Sequence, residues 1–201
     1  MHFTKLGFLA MNIIWLIGLF ACEKDQPLRE LEGMNFDCMD PLSDDYILPF
    51  PVGTSYVLSQ GTCSSFDHMT NQRYAFDFSM PIGSIITAAR SGSVHAVEEG
   101  FSDGDREINH ANFVIIEHEN GTFGRYLRLT QDGALVELGT IVNRGDTIAL
   151  SGNSGFGSAP HLHFDVTKCG TCGDVQTTAV GFFNAEPPVE NENTTYLAVP
   201  Y

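Results

Sequence analysis

The chain is poor in positive charge: 10 lysines and arginines stand against 25 acidic residues in 201, a formal net charge of −15. So sparse a basic complement argues against a nucleic-acid partner, because binding there rests on Lys and Arg neutralising phosphates. It equally disfavours a polybasic grip on anionic membrane. Charged residues make up only 17% of the chain and aromatics reach 11%, which excludes wholesale disorder. There is no convincing helical stripe, internal repeat or low-complexity tract. The length suffices for one domain with a substantial core and excludes two large ones.

Nor is there an apolar run of ordinary membrane-spanning length. From Gly7 to Ala21 only Asn12 interrupts a stretch of fifteen residues, preceded by Lys5. A charged head, a short apolar middle and a small residue before the cut describe an export signal over residues 1–21. The stretch ends Leu19-Phe20-Ala21-Cys22, which resembles the lipobox of bacterial lipoproteins, with cleavage before Cys22 and lipid on that cysteine. An uncleaved anchor and a plain secretory signal are the alternatives, and each exports the rest of the chain.

Four cysteines follow: Cys38, Cys63, Cys169 and Cys172. An even number in an oxidising compartment points to two disulfides. The short separations favour Cys38–Cys63 and Cys169–Cys172. A redox Cys-x-x-Cys opens a helix in a βαβ unit, and Gly170-Thr171 offers no such setting. Four thiolates on a structural zinc are the rarer alternative.

Residues 22–50 are acidic, contain Pro27, Pro41 and Pro49, and read as a tether. From residue 51 to 186 short β-rich runs alternate with turn signals. The runs include Tyr74–Ser79, Ser84–Ala89, Ser93–Val97, Asn112–His118, Phe123–Leu129, Thr147–Leu150 and His161–Val166. Pro81-Ile82-Gly83, Asn120-Gly121, Asp132-Gly133 and Arg144-Gly145-Asp146 read as turns between them. Such spacing indicates an all-β domain. Residues 187–201 read as an extended tail lying on the body.

The segment Ser151–Val166 carries the most chemistry. After Pro160, period-two alternation puts His161, His163 and Asp165 on one face of a strand, and Leu162, Phe164 and Val166 on the other. Successive imidazoles on one face lie about 7 Å apart at the backbone, close enough to serve one metal site. Around Asp77 the pattern repeats: Tyr74, Phe76 and Phe78 face one way, and Ala75, Asp77 and Ser79 the other. A carboxylate there is costly unless paired, hydrogen-bonded or bound to a cation. The loop Gly152-Asn-Ser-Gly155 fits neither a P-loop nor a dinucleotide fingerprint. Ser154 is not in a Gly-x-Ser-x-Gly elbow, because Phe156 takes the second glycine position.

Together these residues resemble the M23 family of lysostaphin-type zinc metallopeptidases. The likeness rests on His68 and Asp77 early, and on Pro160-His161-Leu162-His163-Phe164 late. Between them Asn112–His118 with Asn120-Gly-Thr-Phe resembles the family's central hairpin, and Val142–Gly155 resembles the approach to its catalytic strand. The likeness runs over roughly residues 66–184. It implies an antiparallel β-sheet core, with His68, Asp77 and His163 as the ligands of one zinc ion and His161 as a catalytic histidine beside it. Two imidazoles and a carboxylate with an open position suit catalytic zinc, although the same set also holds non-haem iron.

The family's second catalytic histidine, in a Tyr-x-His-Leu segment, is replaced here within Tyr126-Leu127-Arg128-Leu129. Alternation aims residue 128 toward the face of Tyr126, bordering the site. Arginine keeps its charge and has donors only, so it steadies an oxyanion but takes up no proton. His110 and His118 read as ordinary polar residues. The family resemblance implies cleavage of peptide bonds in peptidoglycan, and the lipobox resemblance implies an envelope lipoprotein held to the outer membrane or periplasmic face by lipid alone. The alternative is a non-catalytic module that binds peptidoglycan or activates cell-wall amidases. A mononuclear iron oxygenase is a third, weaker reading.

Overall fold

A computed structural model describes residues 43–64, 68, 71–171, 176–189 and 191–201. Their extended elements are all β-strands, without an α-helix. The strands are β1 (Ser43–Tyr46), β2 (Ser55–Gln60), β3 (Phe76–Ser79), β4 (Ile85–Thr87), β5 (Gly92–Glu98), β6 (Asn112–Glu117) and β7 (Phe123–Ala134). They continue with β8 (Ile141–Val142), β9 (Thr147–Ser151), β10 (His161–Thr167), β11 (Val180–Phe182), β12 (Ala185–Glu186) and β13 (Thr194–Ala198). One sheet runs β12-β13-β2-β3-β10-β7-β6-β5-β8, with β9 joining β4 to β7. Every pairing in that sheet is antiparallel, whereas β1 and β11 form a separate parallel pair.

Local sequence accounts for the central strands. In β10, Leu162, Phe164 and Val166 are fully buried, as period-two alternation requires. The β6–β7 hairpin closes at Asn120-Gly121, where Gly121 has φ +75 and its N–H donates to the His118 carbonyl. Phe76, Phe78, Phe164 and Phe182 form the aromatic centre, with the Phe76 and Phe182 centroids 4.9 Å apart. Burying such a ring contributes about 1.5–3 kcal/mol. Tyr46 of β1 and Phe182 of β11 close over Phe164 from the second layer.

Three expectations change. Residues 46–50, assigned to the tether, belong to the core: Tyr46, Ile47, Leu48 and Phe50 are buried. Their backbone is held by Ile47 N–H to Ala89 O and Leu48 N–H to the Asn184 side chain. Within an acidic, proline-containing stretch, this short apolar run finds its partners only through long-range packing. Likewise β13, assigned to the tail, pairs with β2 and buries Tyr196. Finally Asp132-Gly133 does not end a strand. Asp132 adopts φ +54, and β7 continues through an irregular register to pair Ala134 with Ala149.

Cys63 and Cys169 are both disulfide-bonded, which rules out four thiolates on a zinc ion. Cys38 and Cys172 lie outside the described residues, as do Cys22 and residues 1–21, on which the export-signal expectation falls. Among the described residues no helix is long and apolar enough to cross a membrane.

Candidate metal centre

Strand β10 lies between β3 and β7, and this register builds the site. His163 sits directly opposite Asp77 on β3 and Leu127 on β7. Asp77 Oδ1 lies 2.8 Å from His163 Nδ1. His68 comes from the connection between β2 and β3 and is fully buried. Its Nδ1–H donates to the Gly61 carbonyl at 2.8 Å, leaving Nε2 as the bare acceptor. That buried Nε2 has no hydrogen-bond partner and faces Asp77 Oδ2 at 3.7 Å. One donor atom from each of His68, Asp77 and His163 lies within 4.8 Å of the other two. A buried bare imidazole nitrogen beside a second imidazole and a carboxylate fits a divalent cation that prefers N and O donors.

The supporting groups come from distant parts of the chain. Gly61, whose carbonyl orients His68, donates its own N–H to Glu192 Oε1 at 2.9 Å. The C-terminal segment therefore braces a candidate ligand. On the other flank His163 Nε2 lies 3.1 Å from Asp165 Oδ2. Asp165 is fully buried and receives both Arg125 Nε–H and Nη2–H, at 2.6 and 2.5 Å.

Burial works against charge at Asp77, His163 and Asp165, yet the charged partners prevail there. It raises the Asp77 carboxyl, but the imidazoles of His163, His161 and His68 outweigh it and bring the pKa down to about 2. Burial likewise depresses His163, and the Asp77 and Asp165 carboxylates overcome it, lifting the pKa to about 9. Asp165 is lowered because hydrogen bonds from His163 and Arg125 outweigh its own desolvation.

His161 lies at the open edge of the group, 14% exposed at its side chain. Its Nδ1–H donates to the Ala159 carbonyl at 2.8 Å, so Nε2 carries the lone pair and lies 3.8 Å from Asp77 Oδ2. Burial above all, then the Arg128 and His163 charges, hold its pKa below the usual histidine value against the pull of Asp77. Arg128 borders the same opening: a Cβ at Gly157 would lie 3.3 Å from both Arg128 Nη1 and His161 Cε1.

Arg128 reaches the opening by a route that alternation does not describe. The face of Tyr126 is core: its ring is fully buried, and its hydroxyl oxygen accepts the Ala89 N–H at 2.7 Å. Phe113 pairs with Leu127 and Asn112 with Leu129, leaving Arg128 as an extra residue with φ +68. This bulge turns residue 128 away from the core and restores Leu129 to it.

His118 and His110 lie elsewhere. His118 is buried, donates Nδ1–H to Ser91 O and meets Tyr46 edge-on, while His110 pairs with Asp105 and stacks on Phe101. Asp105 also accepts the Gly155 N–H, and Asp103 bridges Thr130 Oγ1 and Asn153 N–H. Asp103 thereby ties the glycine loop to the strand carrying Arg128, and Asp105 ties it to His110. The pairing of Arg125 with Asp165 went unread in the sequence; an arginine in the strand next to a buried acid was its only signal.

An all-β domain with a His/Asp/His cluster spanning two adjacent interior strands defines the class, and the sequence comparisons agree. The model of peptidase family M23 matches residues 71–176, beginning just after His68 and containing Asp77, His161 and His163. The chain belongs to peptidase family M23. It is 34% identical over 127 residues to the peptidoglycan DD-endopeptidase ShyB of Vibrio cholerae, covering 61% of this chain and 26% of that protein. Lysostaphin of Staphylococcus simulans is 36% identical over 93 residues, 45% of this chain and 17% of the relative. The chain thus spans only about a quarter or less of these relatives. The catalytic domain of the prophage-encoded M23 protein EnpA from Enterococcus faecalis shares the fold at TM-score 0.50 and 18% identity, covering 65% of this chain and 93% of that domain.

Proposed function

We propose that this protein is a zinc metalloendopeptidase that hydrolyses peptide bonds in peptidoglycan. The observation that carries this reading is the convergence of His68, Asp77 and His163, with the Nε2 lone pair of His161 facing the same carboxylate. His68 through Nε2, Asp77 through its carboxylate and His163 through Nδ1 would hold the ion. Bound zinc supplies Lewis acidity, polarising a carbonyl and acidifying water. His161 stays neutral near pH 7 because its basicity is depressed, and its Nε2 can take a proton. Arg128 keeps its positive charge beside His161 and offers donors to developing negative charge. The relatives named as peptidoglycan endopeptidases support the substrate class.

The export signal and Cys22 support a lipid-anchored position in the cell envelope, on the outer membrane or periplasmic face.

Arg128 also favours a second reading, a metal-binding M23 module that binds peptidoglycan or activates cell-wall amidases without cutting. Digestion of purified peptidoglycan with wild-type and His161→Ala protein, followed by fragment mass analysis, separates the two. New peptide fragments that disappear in the variant support the peptidase. Zinc-loaded protein that releases none overturns it in favour of the module.

A further inference from the structure

We propose that Arg125, acting through Asp165, is the positioning residue that decides which nitrogen of His163 faces the metal. The inference rests on the metal-centre reading above and adds a determinant of the ligand atom. His163 has carboxylates on both sides, Asp77 Oδ1 at 2.8 Å from Nδ1 and Asp165 Oδ2 at 3.1 Å from Nε2. Symmetry between them is broken by Arg125. Its guanidinium grips both oxygens of Asp165, whereas the other neighbours of Asp77 are two imidazoles, His68 and His161.

A bidentate guanidinium holds a carboxylate in one plane and keeps it charged. Asp165 is fully buried and its charge is balanced by this arginine, so it stays an acceptor and does not compete for a cation. The Nε2–H of His163 must then remain with Asp165, and Nδ1 is the nitrogen left for the ion. A carboxylate behind a ligating imidazole fixes its tautomer and ring orientation and raises its basicity. Strand register supports the geometry: Arg125 lies directly opposite Asp165 on β7, just as Asp77 lies opposite His163 on β3. Three consecutive members of the chain from guanidinium to ligand are therefore held by backbone pairing.

The test uses the mature full chain loaded with zinc alone. Affinity is read by competition with a chromogenic chelator, and the His163 ring by multiple-bond proton–nitrogen correlation on histidine labelled with nitrogen-15. The spectrum of the wild type should show Nε2 protonated and Nδ1 coordinated. Arg125→Met and Asp165→Asn should each weaken zinc binding about 10–100-fold, and Arg125→Lys should recover part of that loss. A bracing role confined to stability would lower the melting temperature of the metal-free protein and leave affinity and spectrum unchanged. That result overturns the proposal, as does a wild-type spectrum with Nε2 coordinated. Should Arg125→Met not fold, Arg125→Lys compared with wild type supplies the same affinity and spectral test. If His68→Ala leaves zinc binding intact, the metal-centre reading itself has failed; if His68→Ala abolishes it while Arg125→Met changes nothing, only the positioning role has.

Discussion

Asp77 and His163 face each other from adjacent antiparallel strands, with Oδ1 and Nδ1 2.8 Å apart. Each is the strongest perturbation on the other apart from burial, one carboxyl drawn down to about 2 and one imidazole lifted to about 9. Replacing either partner removes the largest charge that offsets its neighbour's burial. Wild-type protein should carry about one zinc ion per chain, and His163→Ala and Asp77→Asn should lose it. Metal analysis of the purified variants checks this. Chelation should also lower the melting temperature, because a ligand at 100 times its Kd stabilises by about 2.7 kcal/mol.

Arg128→His should raise peptide hydrolysis by up to about 10²–10⁴-fold, the range associated with one acid–base group. The bulge should accept the change, since histidine is among the residues that tolerate positive φ. Initial rates on soluble peptidoglycan fragments supply the measurement. A fall in rate instead shows that the arginine charge itself assists the reaction.

His118 makes stability depend on pH in a definite direction. Burial, with a smaller contribution from Arg90, depresses its pKa from 6.5 to about 4. Between those values the unfolded chain binds the proton and the folded one does not. Its contribution is therefore fully present above pH 6.5 and declines as the pH falls toward 4, by up to about 3 kcal/mol. Urea midpoints from pH 7.5 to 4 should drop less for His118→Gln than for wild type. Equal slopes in the two proteins contradict this account.

Gly152 permits the glycine loop to pass against β7. A Cβ there would overlap the backbone of Leu129 and Thr130, adjoining Arg128. Gly152→Ala should destabilise by at least about 1–3 kcal/mol, the scale of overpacking. Because the strand must shift where Arg128 is bulged, activity should fall as well, below what the lost folded fraction explains. Urea unfolding and rates at matched folded fractions distinguish the two effects.

Much of this architecture is readable along the chain. The alternation of β10, the Asn120-Gly121 hairpin and the His161/His163 pair depend on neighbours within a few residues, and each is found where local rules put it. The same rules failed at Arg128, since alternation holds only while every residue finds a partner across the strand. They failed again at Tyr46–Phe50 and β13, where short apolar runs acquire meaning from a core assembled far away in sequence.

Sequence alone thus determined an all-β chain with two imidazoles on one strand face and a lone carboxylate on another. Tertiary structure alone decided that Asp77 stands opposite His163, that Arg125 grips Asp165, and that Glu192 holds the peptide orienting His68. The physical reason is range: side-chain periodicity is set by local backbone geometry, whereas cross-strand register depends on all the packing that aligns the strands.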